Sequence, residues 1–523
     1  MFKSVNKRFI LLVILTAVYN FVFWHEKAGL NLAVFVVLCS IAVVIVNLTS
    51  ASEQVSNIKK LIVLLLAVVY SAAMVVAINS AFSIFALVIS IIVLTGFAQQ
   101  RTMKSIYGAI LTTISSMILF PYNALEGIRR SKRYKVFSFF LKTVKVVLIP
   151  IIIVMVFYSL YAYANPMFNT YSESFWTEIG EFLNKVFYDY PFLRFLFIFS
   201  GLFLITGLLY NNNVHLFADL DNTFLEKFYR NRDLKLVWKT NPERYIPFVK
   251  RTHLFNPKMK SFLTEYRIGL ALLIMVNLLI AFLNVLDINF VWLNFNSKEV
   301  GNLAYYVHEG TYVLIFSILL SMCILLYLFR GNANFFSKGI LLKVLAYFWI
   351  FQNAIMAISV GLRNYYYIEY YYALSYKRIG VVIFLALTLI GLVTMILKIY
   401  QKRTTYNIFK INAAAAFIVL IVISSFNWDI AIADFNLSNP DKKSIDARYL
   451  LSLSDNVLPS LDRNKDVLEL HNNDFSFSRM DYEETEVFNQ RKRSFLKDYE
   501  NYSWLSLNYH DWKTYNYFTK KEN

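Results

Sequence analysis

The apolar residues of this chain come in long unbroken blocks, and that grouping constrains the fold more than any other feature. A soluble core is assembled from short periodic stretches. These blocks run to roughly 16–22 residues, the helix length that crosses about 30 Å of hydrocarbon. Inside lipid every backbone N–H and C=O must be paired internally, so such blocks have to be α-helices. The alternating segments of about ten residues that mark an outer-membrane barrel are absent from the sequence. Composition agrees: 58% of the 523 residues are hydrophobic and 16% charged, against about 45–50% and about 25% in soluble chains.

The blocks fall at 9–24, 30–48, 61–78, 81–97, 144–164, 192–210, 268–286, 311–329, 340–361, 379–397 and 412–430. They predict an all-α polytopic transmembrane bundle of about eleven spans, with ten to thirteen compatible with the pattern. Lys3, Lys7 and Arg8 precede the first block, and no small-residue cleavage pattern follows Trp24. That block therefore reads as a retained helix. Asn79-Ser80 predicts a tight turn between two helices. A further block, 105–121, carries Thr112, Thr113, Ser115 and Ser116 and is expected to stop at Pro121. If it spanned, the loop 122–143 with Arg129, Arg130, Lys132, Arg133, Lys135 and Lys142 would lie outside. The positive-inside rule opposes that, so 105–121 is expected to be re-entrant or interfacial.

The net charge is +18. Its positive excess sits within residues 1–430, while 431–523 carry slightly more acid than base. Basic loops held at the cytoplasmic face explain this better than nucleic-acid binding does. The expected topology has the N-terminus in the cytoplasm and the C-terminus outside. Three regions follow: N-terminal helices with a basic loop (1–143), a main bundle (144–430) and an external, mainly helical cap (431–523). The cytoplasmic segment 211–267 interleaves basic residues with Phe228, Tyr229, Trp238, Tyr245 and Phe248. That pattern suits anionic lipid, and no nucleic-acid reading motif accompanies it. The lipid bilayer is thus the expected partner, and no protein partner is indicated.

In the tail, Asn439-Pro440-Asp441 predicts a turn. A helix is expected over 444–453, ended or kinked by Pro459. Tyr499, Tyr502, Trp504, Leu505, Trp512, Tyr515, Tyr517 and Phe518 are too many large apolar groups for a disordered tail.

The most polar stretch of the bundle lies between about 300 and 380. His308 and Glu309 precede one predicted span, and Arg363 and Asn364 end the next at the same external level. Glu309 and Arg363 are therefore expected at similar depth, able to pair across neighbouring antiparallel helices. The loop that follows adds a tyrosine-rich run, Tyr365–Tyr372, and then Lys377 and Arg378. Aromatics there suit an interfacial belt or a platform for a head group or sugar. Asn277, Asn284, Gln352 and Asn353 sit inside apolar blocks, where amides either bond a neighbouring helix or line a polar cavity.

Several chemistries lack their motifs. There is no Gly-rich phosphate loop, no second histidine after His308-Glu309 to complete a zinc-protease pair, and no metal-ligand spacing among the six histidines. Cys39 and Cys323 lie in apolar blocks and frame no disulfide. No apolar block carries a carboxylate near its middle. The expectation is no catalytic residue, no metal and no cofactor.

The stretches His308-Glu309-Gly310, Arg330-Gly331-Asn332, Gln352-Asn353, Arg363-Asn364-Tyr365-Tyr366-Tyr367 and Tyr376-Lys377-Arg378-Ile379-Gly380 are distinctive together. So are Ala431–Leu437 and Ile445-Asp446-Ala447-Arg448-Tyr449-Leu450. Over roughly residues 265–460 the chain resembles a family of bacterial multipass membrane proteins known as a domain of unknown function, the 4153/4173 group. Arg363, Tyr376 and Arg378 match family positions. The chain departs from the family at Tyr372-Ala373, where a glycine is expected. The resemblance implies a multipass helical fold in a bacterial inner membrane and brings no established activity.

The leading expectation is a non-enzymatic membrane protein that handles or senses an anionic envelope component. Its ligand would meet His308, Glu309, Arg363, Asn364, Lys377 and Arg378 at the external helix mouths. A transporter or channel would instead use Asn277, Asn284, Gln352 and Asn353 as cavity lining. A membrane enzyme acting on a lipid-linked substrate would use His308 and Glu309 as acid and base. A scaffold would dock a partner through an exposed tail carrying Trp504 and Trp512.

Overall fold

The computed structural model describes residues 2–49, 58–100, 102–128, 154, 158, 166–186, 192–210, 216–228, 259–295, 303–330, 332–336, 339–438, 445–465 and 482–522. These residues are mainly helical and form no strand; Lys227 and Arg403 make one isolated antiparallel bridge. The first helices are α1 (Phe2–Phe23), α2 (Leu30–Thr49), α3 (Ile58–Ala77), α4 (Ala81–Gln99) and α5 (Ile106–Ile128). Then come α6 (Pro166–Val186), α7 (Phe192–Leu209), α8 (Leu216–Thr223) and α9 (Met259–Asp287), the last continuing as a π-helical turn, Ile288–Leu293. The main bundle adds α10 (Leu303–Leu328), α11 (Ile340–Tyr371), α12 (Tyr376–Gln401) and α13 (Thr405–Ile423). The tail holds α14 (Trp428–Leu437), α15 (Ala447–Leu451), α16 (Leu458–Arg463), α17 (Tyr482–Asn501) and α18 (Tyr509–Glu522).

Eight helices among the described residues are long and apolar enough to cross a bilayer: α2, α3, α4, α9 with its π-turn, α10, α11, α12 and α13. The block at 192–210 forms the shorter apolar helix α7, the block at 9–24 falls on the end of α1, and the block at 144–164 lies outside the described residues except for Val154 and Tyr158. The fold is therefore an all-α polytopic bundle. Its lateral surface is apolar: on α9 alone Met275, Leu278, Leu279, Phe282 and Val285 are all more than 60% exposed. A water-facing helix would carry polar groups at those positions, whereas hydrocarbon suits them.

The chain divides into two compact units. One comprises Met1–Trp24, Ile41–Glu53 and Thr112–Val214. There α1 packs on α7 through Tyr19, stacked on Phe197 at 4.6 Å between ring centroids, and Arg194 lies over the Trp24 ring. The other unit comprises His25–Ser40, Gln54–Leu111 and His215–Asn523. Its core joins α9, α10, α11 and α12 through Leu273, Ile318, Trp349, Met356 and Leu392. A second core fills the tail with Ile432, Leu450, Leu458, Phe488, Phe495 and Phe518, and Ile379 of α12 belongs to it. The cap is thus continuous with the bundle through one hydrophobic cluster.

Within the larger unit the loops gather at two ends. At one, Asn79 donates to the carbonyl of Ala28, Leu30 N–H donates to Leu507, and the Phe82 ring meets Tyr376. At the other, α8 meets the start of α5 and the α12–α13 loop, and Arg330 pairs with Glu265.

Several boundaries differ from the sequence expectation. Asn79 does form the turn, in the left-handed region, and Ser80 caps α4 by accepting from Ser83 N–H. By contrast, α5 does not stop at Pro121 but runs on to Ile128; a proline removes one backbone donor without by itself ending a helix. Pro459 starts a helix where it was expected to end one. The expected helix stops at Leu451, and Pro459 sits in the first turn of α16, where its missing N–H costs nothing. The last span runs from Thr405 to Ile423, earlier than 412–430, because Asn427 breaks off and caps α14. The turn at Asn439-Pro440-Asp441, the loop from 129 to 143, and Tyr229, Trp238, Tyr245 and Phe248 lie outside the described residues.

The tyrosine run also changes character: Tyr365–Tyr371 are the last turns of α11, and Tyr372 ends that helix at φ 52°. That left-handed conformation is where a glycine is at ease and an L side chain is strained. Tyr372 is held there by stacking on Phe435 at 4.8 Å and by a hydrogen bond from Ser438 Oγ to its hydroxyl. Tyr372→Ala and Tyr372→Gly both lose the ring, but only glycine relieves the backbone. The glycine variant should be the more stable by about 1 kcal/mol in denaturant unfolding of the detergent-solubilised protein. Equal losses would show that the position carries no strain.

Candidate functional site

Arg363 on α11 and Asp287 at the end of α9 form a buried ion pair. Arg363 Nη2 lies 2.5 Å from Asp287 Oδ1, and the two side chains are 9% and 7% exposed. Asp287 immediately precedes the π-turn, a feature that often marks functional positions. The turn continues the helix to Leu293, and Trp292 Nε1 then donates to Ser359 Oγ on α11. The sequence expectation ended this block at residue 286 and so saw no carboxylate inside a span; the structure places Asp287 within one. Among the described residues Arg363 is paired with Asp287, which reaches it from α9. The side chains of His308 and Glu309 lie outside the described residues, their backbone being the first turns of α10.

One helical step on, Asn364 and Arg378 join α11 to α12. Asn364 Nδ2 donates to the Arg378 carbonyl at 3.2 Å, and Arg378 Nη1 lies 3.5 Å from Asn364 Oδ1. The Arg378 guanidinium sits 3.5 Å from the Tyr367 ring centroid, a cation–π contact, and is itself buried. Lys377 between them is exposed. Of the six residues expected at the helix mouths, Asn364 and Arg378 are therefore in direct contact. Arg363 faces α9, and Lys377 alone of these four is open to the surface.

The α11–α12 loop is gripped by the cap. Asn436 of α14 accepts from Leu374 N–H at 2.6 Å and donates to the Leu374 carbonyl at 3.0 Å, so one amide closes both backbone groups. Tyr376 donates its hydroxyl to Asp429 at 2.7 Å and its N–H to the Tyr449 hydroxyl at 3.0 Å. Burial pushes the Tyr449 phenol above its ordinary range, so it stays neutral. The cap reaches the α1–α2 loop as well. Ser506 Oγ donates to Glu26, Lys27 N–H donates to Ser506, and a Cβ on Gly29 would come within 2.5–2.8 Å of the Ser506 and Leu507 carbonyls. Glycine at position 29 is what permits this close approach.

Three of the four amides, Asn277, Asn284 and Gln352, serve the α9–α11 contact, while Asn353 bonds within α11. Asn277 Nδ2 donates to Leu273 and Leu345 carbonyls, Asn284 Nδ2 to the Gln352 carbonyl, Asn353 Nδ2 to the Trp349 carbonyl, and Gln352 Nε2 to Asn277 Oδ1. Each nitrogen is used, and the helix-to-helix bonds are those expected of interhelical adhesion. Asn284 Oδ1, Gln352 Oε1 and Asn353 Oδ1 have no partner among the described residues.

At the opposite end a second buried carboxylate organises the loops. Asp221 of α8 accepts from Lys104 N–H (2.5 Å), Ser105 N–H (3.0 Å), Ser105 Oγ (2.6 Å) and Tyr406 Oη (2.8 Å). It thereby caps the start of α5 and ties it to α13. The adjacent segment crosses the α12–α13 loop: Thr404 Oγ1 donates to the Leu225 carbonyl, Phe228 N–H to Lys402, and Lys410 pairs with Glu226 at 2.6 Å. The Lys410 bond holds the Glu226 carboxyl below its ordinary range.

Sequence reasoning missed Asp287, Asp221 and Asn436. Asp287 stands one residue beyond its apolar block, and Asn436 lies inside the family-like stretch Ala431–Leu437. Nothing in local sequence singles out Asp221, whose donors are more than 100 residues away. Among the described residues no group of three or more His, Cys, Asp or Glu is placed to hold a metal ion.

No curated protein and no solved structure matches the chain. Residues 60–464 match the model of a domain of unknown function, DUF4153, a wider stretch than the resemblance over 265–460 suggested. That match runs from α3 through the cap contacts of Asn436 and Tyr449 to the end of α16, and the chain belongs to the DUF4153 family.

Proposed function

We propose that this protein handles or senses an anionic component of the cell envelope at the end of the bundle that carries the cap. In this reading that end faces out of the cytoplasm in a bacterial inner membrane, and the N-terminus lies inside. The observation that carries it is the grip of the cap on the α11–α12 loop through Asn436, Asp429 and Tyr449. A ligand that shifts the cap must also strain the mouth where Arg363, Asn364 and Arg378 are packed. Lys377, exposed in the first turn of α12, is the charge that meets the ligand, and the buried arginines add their field behind it. The positive excess of the loops at the other end supports the orientation.

The test compares the full-length protein with Lys377→Glu and Lys227→Glu variants, reading binding of a short-chain phosphatidylglycerol against phosphatidylcholine by calorimetry. Lys377→Glu should weaken the preference for the anionic lipid about fivefold, the worth of one basic residue near such a surface. Lys227→Glu, at the other end, should leave it intact. The reverse pattern would move the anion contact to the 211–267 segment and overturn the reading.

A further inference from the structure

The cap holds a cleft of about 330 Å³ that is separate from the helix mouths. Its walls include Lys27, Asp455, Asp498, Tyr502, Trp504 and Asp511. Two of the three carboxylates are already neutralised: Asp511 by Lys27 Nζ at 3.4 Å, and Asp455 by Arg491. Asp498 is not. It is exposed, has no cationic partner among the described residues, and receives one side-chain hydrogen bond, from Ser494 at 3.4 Å. Beside it the aromatic wall is unusually open. Trp504 is 70% exposed and Tyr502 36%. Tyr499, by contrast, is stacked on Tyr515 at 4.5 Å and packs against the cap core. Among the described residues the cleft thus offers one unmatched negative charge beside open aromatic faces.

That combination selects a ligand. An ammonium group gains both from a carboxylate and from an aromatic face, whereas a phosphate or carboxylate would be repelled by Asp498. A sugar ring lays its C–H face on an indole and can donate hydroxyl protons to acceptors such as Asp498. The volume sits at the low end for small-molecule sites, which run from about 300 Å³ upward, and it limits the bound portion to a group the size of a monosaccharide or a lipid head group. We propose that the cap cleft binds a small primary amine, its ammonium on Asp498 and its carbon skeleton against Trp504 and Tyr502. Amino sugars and ethanolamine head groups share this chemistry. The site is independent of Lys377: either can be right with the other wrong.

The experiment is a calorimetric titration of the full-length protein in nanodiscs at mildly acidic pH with glucosamine, N-acetylglucosamine, glucose and phosphoethanolamine. Glucosamine should bind saturably, and removing its charge, as in N-acetylglucosamine or glucose, should weaken binding about tenfold, the size of one charge-assisted hydrogen bond. Asp498→Asn should cause a similar loss and leave thermal stability unchanged, because Asp498 is exposed and among the described side chains bonds only Ser494. Trp504→Ala should weaken all ring ligands. Phosphoethanolamine identifies the source: tighter binding than glucosamine assigns a lipid head group, weaker binding an amino sugar. Glucose binding as well as glucosamine, no effect of Asp498→Asn, or no saturable heat with any of the amines would each overturn the proposal.

Discussion

Replacing Arg363 by leucine should destabilise the protein by about 3–5 kcal/mol, because it leaves a carboxylate buried inside a span without its cation. Arg363 Nη2 and Asp287 Oδ1 are 2.5 Å apart, with both side chains under a tenth exposed. The charge cannot be rehydrated without opening the α9–α11 contact, whose neighbours are Trp292, Ser359 and the amide set at Asn284 and Gln352. A buried pair is costly to break but not costly to remove whole. The double variant Asp287→Leu/Arg363→Leu should therefore recover more than half of the loss. Unfolding in detergent, followed by tryptophan fluorescence, checks both parts. A single variant as stable as the parent would mean that Asp287 is hydrated; a double variant as unstable as the single would mean that Arg363 acts through other contacts.

Asp221→Ala should be comparably damaging at the other end of the bundle. Its four donors, two backbone N–H groups and two hydroxyls, lose their acceptor at once. Each buried donor left unpaired costs about 1–3 kcal/mol, and since the hydroxyls can rotate toward other acceptors a net loss of about 3 kcal/mol is expected. Asp221→Asn keeps the shape but turns one acceptor into a donor, so its loss should be intermediate. Tyr406→Phe removes one bond and should cost about 1 kcal/mol. The order of the three variants in the same unfolding assay is the test. An alanine variant no worse than Tyr406→Phe would show that the carboxylate does not organise the junction of α5, α8 and α13.

The spans were legible because lipid imposes one rule along the whole chain: a block of apolar residues must be a helix. The blocks at 30–48, 81–97 and 311–329 match α2, α4 and the apolar part of α10 closely. Helix ends were less legible. In α11 the chain stays helical past Arg363 through a run of tyrosines, since their rings find partners in Phe295 and Arg378 that hydropathy does not register. The contact between Asn364 and Arg378 joins residues that flank one short loop, so their nearness is legible in the sequence. The Asp287–Arg363 pair was not, because it depends on how α9 is rotated against α11, and rotation is set by packing. The grip of Asn436 on Leu374 shares that character, as it joins a side-chain amide to backbone atoms 62 positions away.

In the proposed orientation the cap and the α11–α12 loop share one face of the membrane, outside the cytoplasm, with the 216–228 segment on the other. Single cysteines at Lys377, Lys513 and Lys227, all exposed positions, would be introduced one at a time with Cys39 and Cys323 replaced by alanine. Intact cells would then be treated with a membrane-impermeant thiol reagent. The account predicts labelling at 377 and 513 and none at 227 until the cells are opened. Labelling at 227 with protection at 377 and 513 would contradict it, turning the bundle over and placing both the lysine contact and the cap cleft in the cytoplasm.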